Sequence, residues 1–249
     1  ALHEACKNDN VEDAMLIIVA GGNIEEKDNN GATPLYYSVA FGSVKCYDLL
    51  IEYGADVNVV TNEGDTLLHA SIAKNHTDIT LRLLARDNAP YDKPNNQKMT
   101  PLHLAASWGR RSCASLLITK GADIDAQTQL GNTALHLSVL RLGKEQERED
   151  EEGEGEGEGE GEWEEEKTSP HRTIEVLLDK GSDWKKRNNN NYTPIHLAAL
   201  VGGPRALKLL LAHAKKSCRI AAGRFHNQPT TTCYKAICKE KEKEKEKAE

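Results

Sequence analysis

Aromatic residues are scarce, 5% of 249 positions, and only two of them are Phe. A core in this chain must therefore be built from Leu, Ile, Val and Ala. Long apolar runs are missing too. The longest, Ala14 to Ala20, is far short of the roughly 20 residues a membrane helix needs, so no membrane insertion is expected. There are six Cys but no C-x-x-C pair, which weighs against a compact zinc site. No nucleophile elbow, no GK[ST] phosphate loop and no HExxH helix occurs, and the Glu residues of GEGEGEGEGEGE would repel a phosphate. These absences leave no catalytic residue, cofactor site or metal site to assign, and a non-enzymatic protein is expected.

What is present is unevenly distributed. Residues 145–166 hold 14 acidic residues and one basic one, a local charge of −13. The overall −7 therefore leaves +6 for everything else, and part of that is concentrated in Lys215, Lys216, Arg219, Arg224 and Lys235. The asymmetry bears on partners more than the mean charge does.

Self-similarity decides the architecture. GATPLYYSVA from Gly31, GDTLLHASIA from Gly64, MTPLHLAAS from Met99, GNTALHLSVL from Gly131 and YTPIHLAAL from Tyr192 align, with a shortened copy, LHEAC, from Leu2. One column reads His3, Tyr36, His69, His103, His136, His196, at spacings of 33, 33, 34, 33 and 60. The last spacing is one period plus 27 residues. Thr33, Thr66, Thr100, Thr133 and Thr193 stand where a helix N-cap belongs, and Pro34, Pro101 and Pro194 follow at the first helical position. A second helix ends in paired apolar residues such as Leu49-Leu50 and Leu116-Leu117. Gly21, Gly54, Gly121 or Gly181, with Asn88 in the same slot, then terminates it. An extended finger follows, with one inward residue at Ile24, Val57, Tyr91, Ile124 or Trp184. The extra residue of the 34-residue copy is assigned to its finger, Asn95 to Lys98.

TPLHLAA, the paired Leu, and GAD at Gly54 and Gly121, recurring every 33 residues, make the chain resemble an ankyrin-repeat protein over about residues 1–214. The resemblance implies an all-α solenoid of helix-turn-helix units with β-turn fingers, and an adaptor, scaffold or inhibitor role in signalling. Its repeats fall near 1–30, 31–63, 64–98, 99–130, 131–191 and 192–214. The 27 surplus residues are placed at 142–168, between the helices of the fifth repeat, as a disordered acidic insertion. Within it, Trp163 reads as an incidental solvated residue rather than an anchor. Residues 215–249 read as a basic, then Lys/Glu-alternating, flexible or capping tail. The first unit starts at its own first helix, so further repeats are expected upstream.

Most polar landmarks have a structural reading. The His column is taken as bridging backbone groups, since successive copies lie on successive repeats about 10 Å apart, too far to share a metal. Cys6, Cys46 and Cys113 fall at small apolar helix positions and read as reduced core thiols, which suits a cytoplasmic or nuclear compartment. Cys218, Cys233 and Cys238, with His213 and His226, are either a zinc site ordering the basic tail or free thiols. Their irregular spacing weighs against zinc.

Solenoids bind through a concave wall. In the family this chain resembles, that wall is made by finger tips and the exposed side of each first helix. The matching positions give the candidate partner-binding set Phe41, Lys74, Met99, Trp108, Leu140, Arg141, Tyr192 and Val201. Large aromatics near Arg are typical interface anchors, and Lys74 with Arg141 is expected to select an acidic neighbour. The expected partner is another protein, met by a monomeric fragment. Two alternatives are a recognition arm of a larger enzyme or channel regulator, and a nucleic-acid or acidic-partner binder using the basic tail 215–238.

Overall fold

The computed structural model describes residues 1–86, 89–142, 170–201 and 204–224, the last seven of these by backbone only, as is Pro170. The described residues form paired helices and, apart from a single bridge between Val60 and Thr66, no strand pairing. First helices are α1 (Leu2–Lys7), α3 (Pro34–Phe41), α5 (Leu67–Ala73), α7 (Pro101–Ser107), α9 (134–142) and α11 (Pro194–Leu200). Second helices are α2 (Val11–Val19), α4 (Val44–Glu52), α6 (Thr77–Leu84), α8 (Arg111–Thr119), α10 (Pro170–Asp179) and α12 (Pro204–Arg224). α1 packs on α3, α3 on α5 and α5 on α7, while α6, α8, α10 and α12 stack in series behind them. The result is the expected all-α solenoid. None of the described helices is long and apolar enough to cross a membrane.

Each first helix starts as its Thr dictates. Thr33, Thr66, Thr100 and Thr193 are N-caps in extended backbone, three of them with Pro at the next position. The helices then bury Leu35, Leu67-Leu68, Leu102 and Leu135 completely, each contributing about 1.5–3 kcal/mol. Ala105 and Ala106, also fully buried, let neighbouring helices approach closely. Ile24, Val57, Tyr91, Ile124 and Trp184 all pack against this core from the fingers.

The His column links one repeat to the next. The Nδ1 atoms of His69, His103, His136 and His196 accept the backbone N–H of their own N-cap Thr at 3.1–3.3 Å. That acceptance fixes the other tautomer, so Nε2 carries the proton. Nε2 then donates across the repeat boundary: His69 to the Met99 carbonyl, His103 to Asn132 and His136 to Tyr192, at 2.9–3.1 Å. His3 reaches Ala32 in the same way at 3.1 Å. Each acceptor is the residue just before the next N-cap. Both ring nitrogens of the three central His are thereby occupied, as a bridging role requires. Finger tips add a parallel row of bonds, with the N–H groups of Asn62, Asn96, Gln129 and Asn189 donating to the preceding finger. At Gly31, with φ +76°, a Cβ would lie 3.0 Å from the Asn62 nitrogen, so the turn needs Gly for both reasons.

The structure alters three boundaries. The extra residue of the third repeat is not in its finger. Asn95 to Met99 closes with the same bonds as Asp28 to Ala32, whereas Leu83 is six residues from Ala89 where Leu50 is five from Ala55. The surplus therefore lies in the exit from α6, beside residues 87 and 88, and Asn88 itself is outside the described residues. Leu142, assigned to the insertion, is helical and buried. Its column elsewhere holds Asp9, Gly42, Asn75 and Gly109, all at positive φ. A γ-branched Leu resists that conformation, so α9 runs on where the other first helices turn. The remainder of the insertion, Trp163 included, lies outside the described residues. Finally, α12 continues unbroken through the 214/215 boundary with Ala206, Leu210 and Ala214 buried on one stripe. The first ten residues of the expected tail are thus helix. The Cys218 side chain, His226, Cys233 and Cys238 are outside the described residues.

Burial lowers the pKa of His69, His103 and His136 from 6.5, because a protonated ring would lose its Nδ1 acceptor in the core. With folded values below the unfolded value, the unfolded chain binds more protons as pH falls. The His contribution is complete above about 6.5 and is lost progressively below it. The urea midpoint is expected to fall between pH 7.5 and 5.5, and an unchanged midpoint would show that the rings are not held neutral. Cys6, Cys46 and Cys113 are buried and form no disulfide, and burial pushes the Cys6 thiol up to about 12 and Cys46 to about 11. Both should escape iodoacetamide at pH 7.5 and label only in denaturant, as read by peptide mass spectrometry.

Candidate functional site

Each first helix begins where a finger ends, and residues at its C-terminal end share cavities with finger residues. Phe41 is the last residue of α3, Lys74 caps α5, Trp108 caps α7 and Val201 caps α11. Phe41 stays 52% exposed and Trp108 43%, so neither is absorbed by the core. Both are nevertheless held. Phe41 stacks on Tyr37 with centroids 5.9 Å apart, and the Lys7 ammonium stands 5.6 Å from its ring. Trp108 carries the Arg141 guanidinium 5.5 Å from its ring, and Arg141 also donates to the Ser107 carbonyl at 3.3 Å. Ordered aromatics of this kind lose little side-chain entropy on binding.

Two adjoining cavities gather part of the set. One of about 580 Å³ is lined by Lys74, Met99 and Trp108, together with His69, Asn95 and Gln97. Another of about 510 Å³ is lined by Phe41 with Asp28, Asn30, Tyr37 and Thr61. Tyr36, Ala40, Asn62, Glu63 and Asp65 line both. Leu140, Tyr192 and Val201 line neither. Leu140 packs against the core, Tyr192 is exposed beside His196, and in the sixth repeat the projecting residue is Leu200 at 63% rather than half-buried Val201. Met99 is half-buried, tied by its N–H to Asn95 Oδ1 at 3.0 Å. The structure thus concentrates the candidate surface on the second to fourth repeats.

Charges of both signs line these cavities. Arg141 is engaged on Trp108, Lys74 shares the larger cavity with Glu63 and Asp65, and Asp28 lines the smaller one. Asp28 accepts the Tyr37 hydroxyl at 3.0 Å, and Asp65 accepts Asn95 Nδ2 at 2.8 Å. Between them stands Tyr36, which occupies the His column. Its hydroxyl is pushed up to about 12, first by burial and then by Asp65, Glu63 and Asp28. It makes no side-chain hydrogen bond among the described residues, so the repeat-to-repeat bond is missing at this one junction. Sequence inspection flags Tyr36 as a departure from the column and places Asp65 in the row before the N-caps, but it does not find Tyr37, Asp28 or Glu63. They meet only through the 33-residue register.

Comparisons with known proteins agree with this architecture. Models of ankyrin repeats match residues 1–61, 54–128 and 82–146, and a single-repeat model matches 190–220. Inversin of Mus musculus is 28% identical over 236 residues, covering 89% of this chain and 22% of inversin. E3 ubiquitin-protein ligase KEG of Arabidopsis thaliana is 25% identical, covering 85% of this chain and 16% of the ligase. The chain therefore spans under a quarter of these relatives. Among solved structures, an ankyrin repeat domain from Acinetobacter baumannii AYE superposes with a TM-score of 0.68 at 24% identity, over 86% of this chain and 97% of that one.

Proposed function

This chain belongs to the ankyrin-repeat family, whose repeats are generally non-enzymatic protein–protein interaction modules, and we propose that it binds a protein partner through its concave face, with Phe41 and Trp108 as the anchors. The observation that carries the proposal is the pairing of two half-exposed aromatics, Phe41 stacked on Tyr37 and Trp108 under Arg141, with two adjoining cavities that they line. Burying such side chains against a partner removes apolar area from water without first having to order it. Lys74 and Met99 line the same groove, and Arg141 acts by holding the Trp108 ring in place. Leu140, Tyr192 and Val201 extend the surface toward the later repeats.

The chain acts as a monomeric adaptor, scaffold or inhibitor in the cytoplasm or nucleus, a setting consistent with buried thiols that form no disulfide. Its short span relative to inversin and the KEG ligase supports a place as the recognition arm of a larger protein.

Trp108→Ala is expected to weaken partner capture at least about tenfold, the effect of removing an interface anchor, while the melting temperature stays nearly constant. Quantitative affinity capture with wild type, Trp108→Ala and the Phe41→Ala/Trp108→Ala pair, alongside thermal melts, checks this. Parallel loss of melting temperature and capture would make Trp108 a core residue. Undiminished capture would remove the concave face from the mechanism.

A further inference from the structure

The two cavities around Tyr36 differ from the rest of the concave wall in their chemistry. Their shared rim presents Glu63 and Asp65, and the smaller one adds Asp28. Against these three carboxylates stands a single ammonium, Lys74, and it lines only the larger cavity. Glu63 is exposed, and among the described residues its carboxylate has no hydrogen bond or ion pair. Asp65 uses only Oδ1, toward Asn95, which leaves Oδ2 to accept another donor. Tyr36, whose hydroxyl is also without a side-chain hydrogen bond among the described residues, lines both cavities with Glu63 and Asp65, and its hydroxyl is raised first by burial and then by the three carboxylates.

The apolar wall of the smaller cavity has matching chemistry. Tyr36, Tyr37 and Phe41 line it, and aromatic faces attract cations. The chain already demonstrates that pairing twice nearby, with Lys7 over Phe41 and Arg141 over Trp108. Its volume, about 510 Å³, lies within the range that takes a whole extended side chain. A planar guanidinium suits the site better than an ammonium. It stacks on a ring while its fork of N–H donors reaches two carboxylates at once.

Resting on the concave-face reading above, we infer that the cavity pair around Tyr36 receives an arginine side chain of the protein partner, with Glu63 and Asp65 as counter-ions and Tyr36, Tyr37 and Phe41 as its aromatic walls. Selection on this surface is therefore for a basic segment, and Lys74 marks the edge of the site and discourages a second cation beyond it.

The test is a random dodecapeptide phage selection on the full chain at 150 mM salt, followed by fluorescence-polarisation titration of the selected peptides. The expected result is peptides carrying Arg whose affinity falls about tenfold for Glu63→Gln/Asp65→Asn, the loss of one charge-assisted contact pair. Replacing that Arg by Gln in the peptide should cost as much with wild type and almost nothing with the double variant. This coupling isolates the cavity from attraction to the acidic stretch 145–166, which every variant retains. Glu63→Gln alone, at an exposed position, gives the same reading should the double variant melt early. Peptides that depend on Trp108 but not on Glu63 and Asp65 would leave the concave-face reading standing and overturn the arginine site. Acidic peptides that depend on Lys74 would also overturn it. If no peptide depends on either group, both readings fall.

Discussion

Everything in this solenoid depends on a bond that crosses from one repeat to the next: a neutral His donating Nε2–H to the carbonyl that precedes its neighbour's N-cap. The bond does three things at once. Nδ1 satisfies the N-cap N–H of its own helix, Nε2 satisfies a backbone carbonyl of the next unit, and the ring fixes the distance between them. Since each unit touches only its neighbours, stability is a sum over such junctions and not the property of one central core. Leu, Val and Ala fill the space between the helices, but they do so without direction. The His bond, together with the finger-tip row from Asn30 to Asn62 and Glu63 to Asn96, sets the register in which that filling occurs.

One junction lacks the bond, and it is where the candidate site lies. With Tyr36 in place of His, no imidazole reaches the Asp65 carbonyl. That carbonyl keeps only the local bond from Thr61, and Tyr36 and Asp65 both line the two cavities at this junction. A locally weaker junction is the usual cost of presenting polar groups and aromatic faces to a partner instead of to the chain itself. The adjoining junctions are intact on both sides, His3 to Ala32 before it and His69 to Met99 after it, so the opening is framed by rigid units.

The architecture was legible in the sequence because it is written in local chemistry that repeats. Thr before Pro, Leu doubled near a helix end and one inward residue per finger each act within a few residues, and the period multiplies the signal. Misreadings occurred where a residue's effect depended on something outside that local frame. The third repeat's surplus residue was assigned to the finger, yet Lys98 adopts φ +57° there and closes the same turn that Gly31 closes. Leu142 was counted with the acidic block by arithmetic, although its bulk is what prevents the turn taken at Gly42 and Gly109. Of the two readings of the residues after Ala214, flexible or capping, the helix through Arg224 fits the capping one, continuing the stripe of Ala206, Leu210 and Ala214. For the site, exposure of Phe41 and Trp108 followed from their column. Its charge did not, because Asp28, Tyr36 and Asp65 belong to different turns and helices that only stacking brings together.

The scarcity of aromatics sharpens the reading of where they are. A solenoid of Leu and Ala needs few large rings for packing, and this chain has three Trp, seven Tyr and two Phe in all. Tyr47 is spent in the core, and Tyr91 and Trp184 wedge fingers against it, at positions where other repeats use Ile or Val. Tyr36, Tyr37, Phe41 and Trp108 are different: all four line one pair of cavities, at least half of Phe41 is in water, and the later repeats hold Ala70, Leu104, Leu137 and Leu197 in the column of Tyr37. Packing alone gives no reason to gather rings at the one junction without its His bond. Recognition does, since a ring held on one face by a neighbour offers the other to a partner at little entropic cost. The same cluster that weakens the stack locally is thus the part of the surface with the most to offer a binding partner.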